Sequence, residues 1–197
     1  MKYFLALLAI STWIFVLEGS CQEKLPKPFD KNPNSPKDGA SSANASLDKK
    51  RLSESLVTWN RVREACGGNY SYKVIKSSFT GFRTETTVVV KANKVVERRY
   101  ETGMPGIPGM PFQLKIEWVE NHAEIGSHKG VAEPKTLDEL YELAKKIVET
   151  EVPAEHIRSL GLDKQGLLNH CFIKDTRIQD DAPVSGVPFI QFSLGKK

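Results

Sequence analysis

Apolar residues recur along this chain with two different periods, and the change of period marks out the elements. Residues 112–118 alternate strictly: Phe112, Leu114, Ile116 and Trp118 are separated by Gln113, Lys115 and Glu117. A period of two is that of a half-buried strand. The same reading predicts a strand at 69–79, with Tyr70, Tyr72 and Val74 on one face, and another at 82–90, with Phe82, Thr84, Thr86, Val88 and Val90. A return strand follows at 94–100, and Thr80-Gly81 and Ala92-Asn93 supply the tight turns between them. Residues 168–174 and 187–194 read as two later strands, alternating about Phe172, Phe189 and Phe192.

Helical spacing appears in two places. Leu52, Leu56, Trp59 and Cys66 lie near one face, which predicts a helix from Asp48 or Lys49 to Cys66, capped by Asp48 and stopped by Gly67-Gly68. Thr136 and Glu139 form a capping box for a second helix at 137–150. Its buried stripe is Leu140, Ala144, Ile147 and Val148, and Glu142 with Lys146 is a supporting pair on the other side. The order is helix, four strands, helix, two strands. It predicts an α+β fold, an antiparallel sheet of about six strands covered on one face by two helices.

Three segments fall outside this pattern. Residues 1–21 read as a signal peptide: Lys2, an apolar run at 4–17, and a small-residue cleavage site at Gly19-Ser20-Cys21. The run is too short and wrongly flanked for a membrane span. Residues 22–47 are rich in Pro, Ser and Asn and cannot bury enough surface to offset ordering, so they read as a disordered arm. That leaves 48–197 as a single α+β domain. Within it, the three prolines and three glycines of 103–111 predict a loop with exposed Met and Ile, either a contact surface or a flap tucked under the sheet edge.

Export changes how the rest is read. Cleavage after Cys21 leaves Gln22 first and Cys66 and Cys171 as the two remaining cysteines. An even count in an oxidising compartment predicts a Cys66–Cys171 disulfide. Asn44-Ala45-Ser46 and Asn69-Tyr70-Ser71 are glycosylation sequons, and Asn44, in a polar tract, is the better acceptor. The net charge of +4 is dispersed. It leans toward acidic glycans or anionic surfaces and offers no nucleic-acid patch.

Trp59 on a lead helix, the Tyr70-Ser71-Tyr72 strand, the hairpin at 88–96, the Thr136-Leu137-Asp138-Glu139-Leu140 helix start and the late Asp180-Asp181 come in a familiar order. Together they resemble a domain-of-unknown-function family of small bacterial secreted proteins and lipoproteins. The resemblance covers residues 55–195, with the Gly/Pro/Met loop as a departure. It implies architecture, and a structural turn at the paired Asp, but no activity.

Candidate chemistry is sparse. His122, His128, His156 and His170 follow no recognised zinc spacing. Asp175, Asp180 and Asp181 are weak calcium candidates, and Asp is equally an ordinary turn former. There is no Gly-x-Ser-x-Gly elbow, no Cys-x-x-Cys and no phosphate loop. The expectation is a secreted, non-enzymatic extracellular protein without a cofactor, a binding or structural component of a matrix such as a mineralised or cuticular one. Its partner would be an extracellular protein or glycan, met through the 103–111 loop or an exposed sheet face. The alternative is a soluble extracellular inhibitor or ligand carrier of cystatin-like layout. The central Gln-x-Val-x-Gly of such inhibitors is absent, with Lys91-Ala92-Asn93-Lys94 at that hairpin.

Overall fold

The computed structural model describes residues 40–78, 80–103, 113–178 and 184–194, with 40–43 as backbone alone. The signal peptide, the arm as far as residue 39, most of the Gly/Pro loop, Phe112, Asp180 and Asp181 lie outside the described residues.

Helix α1 runs Ala40–Ala65, so it starts earlier than Asp48, and residues 40–47 of the expected disordered arm are helical. Ala40, Ala43, Ala45 and Leu47 are strong helix formers and lie beyond Pro36, the last proline of the arm. Asp48 therefore caps nothing; it sits inside the helix, 3.8 Å from Arg51. The end is as the glycines predict. Gly67 and Gly68 adopt φ of +59° and +68°. The Gly68 N–H reaches Arg63 O and the Gly67 N–H reaches Glu64 O, the paired bonds of a Schellman stop.

Four strands follow: β1 Tyr70–Ser77, β2 Arg83–Lys91, β3 Lys94–Gly103 and β4 Lys115–Asn121. Ala92 and Asn93, both at positive φ, make the two-residue β2–β3 turn. Helix α2, Leu137–Glu149, carries the expected capping box at Thr136 and Glu139. After it come β5 His156–Leu162, β6 Leu168–Asp175, β7 Ser185–Val187 and β8 Ile190–Leu194.

The α+β class, the two helices and the antiparallel pairing match the sequence pattern. The strands, however, form two sheets rather than one of about six strands: a five-stranded sheet in the order β4-β3-β2-β1-β8 and a three-stranded sheet in the order β5-β6-β7. Two features hid this. In β5, Arg158 points inward and donates to Ile147 O and Thr150 O at the end of α2. A cation there satisfies orphan helix carbonyls, so a residue that reads as surface is turned in. The predicted strand at 187–194 is broken at Pro188 and Phe189, where the chain leaves β6 and crosses to pair with β1.

The core lies between the helices and the inner face of the large sheet. Trp59 is 0 % exposed. Its ring meets Tyr70 edge-on at 4.9 Å and Phe192 at 5.9 Å, and lies parallel to Tyr141 at 6.5 Å. Its Nε1–H donates to Asp138 at 3.1 Å. Three buried tyrosines bind the layers through their hydroxyls. Tyr70 accepts from Leu137 N, Tyr72 donates to Lys135 O, and Tyr141 accepts from Leu168 N beside Ser55. The outer face of the same sheet is polar, crossed by Lys73–Glu85, Arg83–Glu85 and Arg99–Glu97 pairs.

Candidate functional site

A cleft opens where the last turn of α1 lies over the ends of β1, β2 and β8. It has a volume of about 550 Å3 and is walled by Val62, Ala65, Tyr70, Val90 and Leu194, with Cys66 and Asn69 also in its lining. Small-molecule sites generally enclose roughly 300–1,000 Å3 of mainly apolar space with a few polar groups. The Schellman stop creates the cleft's shape, because it turns the chain from helix to strand within Gly67 and Gly68. A Cβ at Gly68 would overlap Asn93.

This cleft gathers two residues singled out in the sequence for other reasons. Asn69 is exposed, but its amide is engaged: Nδ2 donates to Cys66 O at 3.1 Å and Gly67 O at 3.3 Å, and Oδ1 accepts from Ala92 N at 3.2 Å. A glycan at Asn69 would compete with those bonds, whereas Asn44 stands exposed on α1. The expected Cys66–Cys171 disulfide is not formed; both are free thiols. Cys66 donates to Arg63 O at the end of α1, facing the large sheet. Cys171 is fully buried in β6 and donates to Ala144 O of α2. The count of two and the compartment set the pairing on paper, but the fold leaves Cys66 at the end of α1 over the large sheet and puts Cys171 in the small one. Burial pushes the Cys171 thiol up to about 12, which makes it an inert core residue.

A second constellation holds the far end of the sheet. Arg98 on β3 and Glu120 on β4 are both buried and face each other in two parallel bonds, Nε–Oε2 at 2.8 Å and Nη2–Oε1 at 2.6 Å. Glu120 also accepts from Gly126 N, Ser127 Oγ, His128 N and His128 Nδ1. Arg98 donates in turn to His128 O and Ala132 O. The His128 ring stacks on Trp118 at 4.2 Å and 5°. Burial raises the Glu120 carboxyl, but the bonds from Arg98, His128 and Gly126 outweigh it and hold it well below the usual carboxylate range. Through Gly126, Ser127, His128 and Ala132 the paired Arg98 and Glu120 side chains clamp residues 126–132, so the cluster positions the segment leading to α2.

The remaining candidates disperse. Asp175 is held by a fork from Arg177, and its Asp180 and Asp181 neighbours lie outside the described residues. Among the described residues no three His, Cys, Asp or Glu side chains converge for a metal. His156 bonds to Ala154 O, and His122 starts a short 3-10 turn. His170, on β6, is the exception. It sits between Ser159 and Asn169 at 2.9 Å from each, a grouping that sequence spacing did not suggest. Only the β5–β6 register, which sets Gly161 opposite His170, brings it about.

The chain matches no protein-family model, no curated protein and no solved structure. Among the described residues, no helix is long and apolar enough to cross a membrane.

Proposed function

We propose that this is a secreted extracellular binding protein that carries a small, largely apolar ligand in the cleft beneath the end of α1. The observation that carries the reading is the cleft itself, about 550 Å3 with walls of Val62, Ala65, Tyr70, Val90 and Leu194. Export rests on Lys2, the apolar run at 4–17 and the Gly19-Ser20-Cys21 site. The likeness to the bacterial secreted family belongs to the same proposal and bears on architecture alone.

Of the two extracellular roles that the sequence suggests, the carrier is better supported than the matrix component. Adhesion to a mineral or an acidic glycan wants a surface of one sign. On the outer face of the large sheet, Lys73 and Arg83 flank Glu85 and Arg99 meets Glu97, so much of its charge is cancelled locally. The layout of a helix laid on an antiparallel sheet suits the carrier reading equally well.

The test is fluorescence titration with 1-anilinonaphthalene-8-sulfonate as probe. Saturable one-to-one binding is expected in the native protein. Ala65→Trp, which fills the cleft from the α1 side, should weaken it at least tenfold with the melting temperature retained. Equal binding by the filled variant would rule out the cleft. Recovery of the chain from culture medium with Gln22 as its first residue checks the export half.

A further inference from the structure

The small sheet has two unlike faces. Arg158, Leu160, Cys171 and Ile173 point to one side, where Arg158 reaches Ile147 O and Cys171 reaches Ala144 O of α2. Ser159, Gly161, His170 and Phe172 point to the other, because Ser159 pairs with Phe172 and Gly161 with His170 in the β5–β6 register. α2 packs on the first face, so the second lies away from it.

On that second face the hydrogen bonds fix one proton arrangement. Asn169 Nδ2 donates to Ile190 O at 2.7 Å, a carbonyl that can only accept. This turns Asn169 Oδ1 toward His170 Nδ1, 2.9 Å away. An amide oxygen also only accepts, so Nδ1 carries the ring proton. Nε2 is left as the lone pair, and Ser159 Oγ, 2.9 Å away, donates to it. Burial lowers the His170 pKa, which keeps the ring neutral near pH 7. Gly161 gives the ring its room: a Cβ there would collide with it. Phe189 packs at 4.3 Å from the imidazole while staying 53 % exposed. This is a hydroxyl, a base and a group that orients the base, in the relative geometry that nucleophilic catalysis needs.

We propose that Ser159 and His170 form an acyl-transfer site that hydrolyses small carboxylic esters with an apolar or aryl group. Ser159 Oγ bonds to the ester carbonyl carbon as its proton passes to His170 Nε2. The carbon–oxygen bond to the alcohol then breaks, and the leaving oxygen takes that proton from Nε2. Water attacks the acyl-Ser159 carbonyl and gives a proton to Nε2. Ser159 Oγ leaves with that proton, and the carboxylic acid is released. Ester and water become acid and alcohol, with no change of oxidation state. Lys174, across from Ile157 and one same-face position along from the Ser159–Phe172 pair, puts a cation on the face where the carbonyl oxygen gathers charge. Phe189 and Ile157, both exposed, provide apolar flanks for the acyl or aryl group. The site lies on the small sheet and goes beyond the binding role of the cleft.

The experiment uses p-nitrophenyl acetate on the full chain, with nitrophenolate release followed by absorbance and the acetylated peptide identified by mass spectrometry. One acetyl group is expected on Ser159. Ser159→Ala should remove it, and His170→Gln should slow release by about 100-fold or more. The rate should rise with pH to a plateau whose midpoint lies on the acid side of a free imidazole. Ser159→Ala removes one hydroxyl and keeps the fold, so it decides the matter even where His170→Gln is unstable. Acetyl groups on lysines alone, or release unchanged in Ser159→Ala, would overturn the proposal and leave the pair as a packing contact.

Discussion

The two ends of the large sheet are buried by opposite means. Toward β8, the inner face is closed by helices, and the side chains that meet there are Trp59, Tyr70, Val88, Val90 and Phe192. Toward β4, it is closed by residues 126–132, and what lies beneath is the Arg98–Glu120 pair with its ring of amide donors. The first end is held by area removed from water, which any apolar residue of the right shape can supply. The second is held by groups that cost much to bury and are tolerable only because every bond is made. The apolar end should therefore yield gradually to substitution, and the ionic end should fail abruptly when one partner goes.

The largest effect is expected at the ionic end. Glu120→Leu strands a buried guanidinium and releases two loop amides, and should cost about 3–5 kcal/mol in urea unfolding. Trp59→Ala should cost a similar amount, about 3–5 kcal/mol, by leaving a cavity among Tyr70, Tyr141 and Phe192. The two part company in the second step. Adding Arg98→Met to Glu120→Leu should recover most of the loss, since no unpaired charge remains, while hydrogen exchange at Gly126 and His128 quickens because their acceptor is gone. No second substitution of the same kind should rescue Trp59→Ala. A double variant no better than Glu120→Leu would show that the bonds to the 126–132 segment, rather than the paired charge, matter most.

Acid sharpens the contrast. The folded Glu120 carboxyl is held below its ordinary value, chiefly because Arg98, His128 and Gly126 donations overcome the burial that raises it. Its unfolded value is about 4.3. A depressed folded pKa means that the contribution is fully present above the unfolded value and is lost as pH falls below it. The melting temperature should thus fall more steeply between about pH 5 and pH 3 in the native protein than in the Arg98→Met/Glu120→Leu variant. Equal slopes would assign the acid sensitivity to the other carboxylates held low by cations, such as Asp175 and Glu85. The smallest effect belongs to the outer face. Lys73→Ala should change stability by about 0–1 kcal/mol, because the Lys73 side chain is 42 % exposed and Glu85 keeps Arg83.

The difference between the ends also sets what could be read in advance. Tyr70, Tyr72, Val74, Val88 and Val90 carry a two-residue period onto the helix-covered face, and Thr136 with Glu139 announces α2, so the apolar end was legible. At the other end the alternation in β4 misleads. Ile116 is 52 % exposed, because a register shift between Tyr100 and Glu101 sets it opposite Glu101 and takes it off the inner face, where the buried position of β4 holds Glu120. A carboxylate at an inward position reads as surface until its arginine, two strands' worth of sequence away, is known to lie opposite. β5 was missed for a related reason, its inward Arg158 serving helix carbonyls. The cleft depends on how the Gly67-Gly68 stop folds α1 over the sheet, and the Ser159–His170 contact depends on register. Neither is a property of local spacing.

The crossing at Pro188 has a bearing on the order in which the molecule can assemble. β1 pairs with β2 on one side and with β8 on the other. Until residues 190–194 have been made, β1 therefore presents a bare row of backbone donors and acceptors beside a finished hairpin. Bare edges recruit other strands. A chain threaded across a membrane from its N-terminal side would carry this open border for most of its passage, and one short strand, pinned by a proline, is what closes it to copies of itself.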